Sequence, residues 1–340
     1  MNIAIIYHSA DWDGKLSNEV CRFHLAKQYP NATISSIGWD YGQPVPVPPN
    51  RCDPLFGGPP TSDWSTYDQI YMVDLCIDAL MEEAPIREKL IWIDHHASAI
   101  EKWGDSLRGL RIDGVAACRL CWQWFTYDEL PKGVLPSKQD CTYPTLTREM
   151  FVDREVAEPE LIRLAGEYDV FDHRDDRALP LQFGLTVLES HDLASVIEWQ
   201  FETYPKAAGR ATDALGIVID GGVDIKRYID KRNAEHALAN AVTVKFAGLT
   251  FCCLNVGQRG NSQMFTAALK DEHQACLAWW HTGKQVSVSL YGITGKSTDG
   301  ILEIAQSFGG GGHKGACGFR VTMEAMGRIL DGKLENGGIE

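Results

Sequence analysis

At 340 residues the chain is longer than one compact domain usually needs, and a prior of about 150 residues per domain gives two. Its composition, 44% apolar and 23% charged, is that of an ordinary globular protein, and no stretch reaches the roughly 18 unbroken apolar residues of a membrane span. A net charge of -14 with no Lys/Arg block argues against long duplex nucleic acid as a partner, because duplex binders need a broad basic footprint.

Residues 2–7 form a short apolar run that ends at a polar turn, and they read as a buried strand. The apolar stretch 3–7 is too short for a secretory signal and leads straight into His8, Asp11 and Asp13, so a cytoplasmic location is expected. Residues 15–28 carry helical periodicity through Val20, Phe23, His24 and Lys27, and 33–37 read as a second strand. Seven of the fifteen prolines fall in 42–60, a density that blocks regular structure and predicts a surface loop. Residues 69–73 and 89–93 are further short apolar runs, each followed at once by an aspartate, and helical patterns cover 79–89 and 114–125. Strands alternating with helices predict a parallel sheet with crossover helices.

Residues 158–168 read as a helix leading into Asp169. From 191 to 241 the pattern is helical, broken near Gly221-Gly222, and its polarity suggests a connector between domains. Residues 242–256, 275–280 and 285–291 read as strands of a second α/β unit, Gly309 to His313 as a sharp loop, and 336–340 as a loose end. Ten cysteines in so long a chain do not suggest a disulfide frame, and Cys118-x-x-Cys121 has no second pair to complete a zinc site. Buried thiols acting as small apolar residues are expected there.

The chemistry is concentrated where the acids and histidines fall. His8, Asp11, Asp13, Asp74, Asp94, His95 and His96 all lie at or just past the C-terminal ends of predicted strands, the edge where open parallel sheets bind ligands. So many carboxylates cannot share a small cleft without cations to offset their repulsion. A mixed His/Asp set suits a divalent transition metal such as manganese better than magnesium or calcium. Taken singly, Asp11-Trp12-Asp13-Gly14 reads equally well as a turn with a helix N-cap, and Asp74 as a cap. Asp94-His95-His96, three polar residues directly after an apolar strand, has no packing role.

These segments resemble the DHH phosphoesterase superfamily, which includes RecJ-like exonucleases, nanoRNases, cyclic-dinucleotide phosphodiesterases and family II pyrophosphatases. His8-Ser9-Ala10-Asp11-Trp12-Asp13-Gly14, Asp74, Asp94-His95-His96, Asp169 and the glycine-rich Gly309–Ala316 segment occur in the expected order over most of the chain. The resemblance implies an α/β fold with a parallel-sheet catalytic domain over 1–190, a helical connector over 191–241 and a smaller α/β substrate-binding domain over 242–335, with the active site in the cleft between the two domains. It implies two manganese ions, one held by His8, Asp11 and Asp74, the other by Asp13, Asp74, His95 and Asp169. Asp94 would orient a histidine ligand, and His96 would face the phosphate and help protonate the leaving oxygen. Gly310, Gly311, Gly312 and His313 would cradle a phosphate through backbone N–H groups and one side chain.

Two departures stand out. His8 precedes Asp11 by three residues where many members have four and some have two. Tyr291, in Ser289-Leu290-Tyr291, stands where many relatives carry an arginine that holds a substrate phosphate, and it reads as either a base-stacking or a packing residue. Asp172 rivals Asp169 for the fourth motif, and Asn261 and Ser262 read as turn residues with substrate contact as the other option. The expected function is a manganese-dependent phosphodiesterase that hydrolyses short oligonucleotides to nucleoside monophosphates. The alternatives are a cyclic nucleotide or cyclic-dinucleotide phosphodiesterase and, from another class, a nucleotide-binding sensor without catalysis. The partner expected is a short oligonucleotide or small nucleotide, with neither a membrane nor long duplex nucleic acid.

Overall fold

The computed structural model describes residues 1–48, 64–127, 146–204, 213–257 and 262–333, except the side chains of Asp105, Ser190, Asp213 and His313. The remainder of the predicted 42–60 loop, Asn261 and the 336–340 end lie outside the described residues. The fold is α/β, and the chain divides into two compact units, Met1–Val223 and Asp224–Glu340.

In the first unit β1 (Asn2–His8) is followed by α1 (Trp12–Gln28), β2 (Thr33–Trp39), β3 (Gln69–Val73), α2 (Asp78–Glu82), α3 (Ala84–Arg87), β4 (Leu90–Ile93) and α4 (Ala97–Trp103). The strands form a parallel sheet in the order β2-β1-β3-β4, so the order reverses between β1 and β3. β1, β3 and β4 carry continuous apolar runs because both of their faces are covered, whereas the edge strand β2, with Thr33, Ser35 and Ser36, is partly exposed. Ile3, Ile5, Tyr71, Val73, Ile91 and Ile93 enter one core, with Leu16, Val20 and Leu25 of α1. Their alternates Ala4, Ile6, Ile70, Met72, Leu90 and Trp92 enter a second core with Leu80, Met81 and Ile86.

The helix expected over 79–89 is two pieces. Pro85 sits in the first turn of α3, where its missing N–H could not bond back to an earlier turn, and Glu83 between the pieces is extended. Next come α5 (Ala117–Thr126), α6 (Arg148–Val152), α7 (Glu160–Asp169), α8 (Ala178–Val187), α9 (Ser190–Thr203) and α10 (Asp213–Asn240). Cys118 and Cys121 are buried free thiols inside α5. The break expected at Gly221-Gly222 does not occur, and α10 runs unbroken through it. Gly222 serves close packing instead, since a Cβ there would lie 1.8 Å from the Pro180 carbonyl oxygen in α8.

In the second unit β5 (Val242–Phe246) and β6 (Leu249–Asn255) form a hairpin through Ala247 and Gly248, both at positive φ. Then follow β7 (Ala275–His281), β8 (Val286–Gly292), α11 (Ile301–Ser307), β9 (Gly311–His313), β10 (Ala316–Val321) and α12 (Met323–Leu330). The sheet order is β5-β6-β7-β8-β10-β9, with only the β6–β7 pairing parallel. Half of the expected glycine loop is therefore a short edge strand, pairing Gly311 with Gly318 and Gly312 with Cys317.

Candidate metal centre

Each polar residue of the first unit's sheet edge is placed by the end of an element. β1 delivers His8, and Asp11 then caps α1, its Oδ1 accepting from the Gly14 N–H at 3.1 Å. A Cβ at position 14 would lie 2.0 Å from the His8 carbonyl oxygen, so only glycine lets α1 start this close to β1. Asp74 follows β3 at φ 60, a left-handed conformation that aspartate tolerates better than most residues, and its N–H donates to the Ile93 carbonyl at 2.9 Å. Asp94, His95 and His96 follow β4.

Asp13 and Asp169 are set by helices. The Asp13 carboxylate accepts from the Ala117 N–H at 2.8 Å and from the Cys118 N–H at 2.7 Å, so it caps the start of α5 across 104 and 105 residues. Asp169 is the last residue of α7, and α7 is clamped by buried ion pairs. Glu167 accepts from Arg154 at 2.8 and 3.0 Å and from Arg163 at 2.9 Å, while Glu158, just ahead of α7, accepts from Arg119 Nε at 2.9 and 3.0 Å. These charges are paired and hydrogen-bonded, as burial requires.

The result is three adjoining groups of potential ligands, one of them Asp74, Asp94, His95 and His96. His8, Asp11 and Asp74 offer donor atoms within 4.8 Å of one another, and so do Asp13, His95 and Asp169. Asp74 faces both: Oδ2 lies 3.4 Å from His8 Nδ1 and Oδ1 lies 3.3 Å from His95 Nε2. His8 Nδ1 is also 2.9 Å from Asp11 Oδ2, and His95 Nε2 is 3.6 Å from Asp13 Oδ2 and 3.5 Å from Asp169 Oδ2. Asp172 is elsewhere, paired with Arg174 at 2.6 Å. The donors around His8 and around Asp13, with Asp74 between them, four carboxylates and two imidazoles, fit a pair of divalent transition-metal ions.

Without cations, protons are the only charges that can offset this crowding. Burial opposes the charged form of His8, but hydrogen bonds and charge from Asp11 and Asp74 overcome it and raise His8 to about 11. His95 is raised to about 10 against the same opposition, by Asp74, Asp13 and Asp169. Burial and the Asp74 charge push Asp13 up to about 7, and burial and the Asp13 charge do the same to Asp169. Folding therefore takes up protons at all four groups. The two carboxylates lose stability for the metal-free fold as pH rises from their ordinary 3.8 toward about 7. The histidine contribution is complete below 6.5 and is lost as pH rises through about 10 and 11. The metal-free protein is thus expected to melt at lower temperature at pH 8 than at pH 5.5. Divalent cations displace those protons, so the melting-temperature gain from Mn2+ over EDTA should grow across the same interval. Scanning calorimetry at the two pH values checks this, and a gain that shrinks with pH would contradict it.

Asp40 was not singled out in the sequence, although it obeys the same strand-end rule by following β2. Its Oδ1 lies 3.2 Å from His8 Nε2 and so fixes which ring nitrogen faces the ligand group. Asp40→Asn is expected to weaken Mn2+ binding about 10–100-fold with the fold intact, the usual scale for such orienting partners; calorimetric titration measures it, and unchanged affinity would remove the role. Asp94 was expected to orient a histidine, and the ring it contacts is that of His96. Its Oδ1 holds His96 Nδ1 at 2.7 Å and accepts from the backbone N–H groups of His95 at 2.7 Å and His96 at 3.3 Å. The hydrogen bond to Asp94 is the largest cause raising the pKa of His96, whose side chain is 38% exposed.

In the second unit, Tyr291, Gly310, Gly311 and Gly312 line a cleft of about 890 Å³. Tyr291 is half-buried, with its ring 6.4 Å from that of Phe265. Trp280, Ser287, Ser289 and Arg320 line the same cleft and were not singled out in the sequence. The register explains their meeting: Trp280 pairs with Ser287 and Ser287 with Arg320, in adjacent strands. The backbone of His313 pairs with Ala316, while its side chain lies outside what the structure describes.

No family model matches the chain, and no curated protein matches it. Among solved structures it is similar to a pGpG-specific phosphodiesterase from Vibrio cholerae, at 14% identity and TM-score 0.44, covering 97% of both chains. It is similar to an exopolyphosphatase-related protein from Bacteroides fragilis, at 12% identity and TM-score 0.40, covering 97% of this chain and 90% of that one. It also resembles RecJ from Thermus thermophilus in complex with Mn2+, at 15% identity and TM-score 0.48, covering 98% of this chain and 51% of that one. At such identities the likeness assigns no residue a role.

Proposed function

We propose that the protein is a manganese-dependent phosphodiesterase that hydrolyses short oligonucleotides to nucleoside monophosphates. The observation that carries this reading is Asp74, whose two carboxylate oxygens face two different histidine–carboxylate groups. His8, Asp11 and Asp74 would hold one ion, and Asp13, Asp74, His95 and Asp169 the other. Two such cations supply Lewis acidity toward a phosphoryl group and acidify attacking water. The protein's own contribution is placement. α5 and α7 fix Asp13 and Asp169, Asp40 fixes the His8 ring, and Asp94 fixes the ring and the proton of His96. With Nδ1 engaged by Asp94, His96 Nε2 is the atom left to give a proton to the leaving oxygen.

Tyr291, Gly310, Gly311, Gly312 and His313 are proposed to bind the nucleotide. With no arginine at 291, Arg320 is the cation of that cleft among the described residues, and the tyrosine ring would act by stacking. The test is a panel of a dinucleotide, a thirty-residue oligonucleotide, a cyclic dinucleotide and pyrophosphate, each with Mn2+. The dinucleotide is expected to be hydrolysed fastest. Equal rates on the two-mer and the thirty-mer would overturn the length preference, and preference for the cyclic substrate would replace the reading with the cyclic-dinucleotide one.

A further inference from the structure

α7 ends in a way its sequence does not favour. The Asp172 N–H donates to the Glu167 carbonyl at 2.8 Å and the Phe171 N–H to the Tyr168 carbonyl at 3.1 Å, the paired closing bonds of a Schellman turn. The residue just past the helix cap in such a turn must be left-handed, a position that glycine usually fills. Here it is Phe171, at φ 58. The same phenylalanine is 82% exposed, more than any other large hydrophobic among the described residues. Phe171 thus combines a strained backbone with an unburied ring, and neither helps the fold.

Its position gives both a use. Asp169, two residues earlier, has Oδ2 3.5 Å from His95 Nε2, inside the metal centre. The turn that carries the ring is itself fixed. His173 meets the Phe171 ring at 5.8 Å and 89°, and the Tyr168 ring at 6.1 Å and 67°. Asp172 and Arg174 neutralise each other, and Arg174 also donates to the Val152 carbonyl at 2.6 Å. Strain that persists in a rigid turn beside a reactive centre points to function.

We infer that Phe171 is a substrate-binding residue, a stacking platform for a nucleobase whose phosphate sits at the metal centre. This rests on the phosphodiesterase reading above. An aromatic face accepts any base, so the contact would add affinity for nucleotides over other phosphate esters without sequence preference.

The test uses the full chain loaded with Mn2+ and two substrates, an ordinary dinucleotide and one whose residue on one side is abasic. The wild type is expected to favour the base-bearing substrate about tenfold in kcat/KM, the scale of one aromatic–base stack. Phe171→Gly should cut that preference to near unity, chiefly by raising KM for the base-bearing substrate. It should also raise Tm by about 2–4 °C, because glycine relieves the left-handed position. Phe171→Trp should keep the preference. A preference unchanged in Phe171→Gly, on a protein that still cleaves both substrates, would overturn the stacking role and leave the phosphodiesterase reading standing. Cleavage of neither substrate by the loaded wild type would overturn both.

Discussion

Asp74→Asn is expected to bind fewer than two Mn2+ ions per chain and to lose roughly 10³-fold in kcat/KM, the upper range for removing one preorganised electrostatic partner. Asparagine is the informative replacement because it changes little else. It matches aspartate in size and also tolerates the left-handed backbone, φ 60, that this position requires. The backbone bond from residue 74 to the Ile93 carbonyl, 2.9 Å, is untouched. What changes is that one of the two oxygens becomes an NH2 donor, which cannot ligate a cation. That oxygen faces either His8 or His95, so one of the two groups is left incomplete whichever way the amide turns. Asp11→Asn gives the contrast, since Asp11 pairs with His8 on one side of the centre and should weaken one site. Metal content by elemental analysis after gel filtration, with melting in EDTA as a control for folding, measures both. Two tightly held ions per chain in Asp74→Asn would rule out the shared ligand.

The strand-end residues of this centre were legible because their signal is local. An apolar run that stops at His8, Asp74 or Asp94 announces both a buried strand and a polar group at its C-terminal edge. The parallel sheet then brings the three ends together. What was not legible depends on contacts between distant segments. Asp13 looks like an α1 residue, and only the folded chain shows it capping α5 more than a hundred positions away. Asp40 follows its strand as plainly as Asp74 follows β3. The expected strand, however, stopped at residue 37, two positions short of the observed end at Trp39, and hid the pattern. Gly221-Gly222 misled for a related reason: glycine marks a helix break by propensity, but here α8 needs the space that a side chain at position 222 would take. The choice between Asp169 and Asp172 turns on side-chain partners, His95 for one and Arg174 for the other, which spacing along a single helix end does not reveal.

His96→Ala should lower kcat by about 10²- to 10⁴-fold with both metals retained, the range for loss of a general acid. The physical case begins with Asp94, which is fully buried and has one oxygen, Oδ2, without a hydrogen-bond partner. An orphan buried carboxylate oxygen is costly. The other oxygen spends its contacts on the backbone of His95 and His96 and on the His96 ring, so the arrangement serves the histidine pair. Its hydrogen bond and its negative charge raise the His96 pKa above the ordinary value, which favours the protonated form, the one that can donate. Removing that charge while keeping the shape tests the dependence directly. In Asp94→Asn the raise is lost, so the donating form disappears at lower pH and the alkaline limb of kcat should move down. Asp94 and His96 also form a group with Asp74 and His95 that could hold a metal, so metal content decides between the two roles: both variants should keep two ions per chain if His96 moves a proton. Loss of metal from His96→Ala, or an Asp94→Asn profile whose alkaline limb stays in place, would show that His96 acts in holding the site rather than in moving a proton.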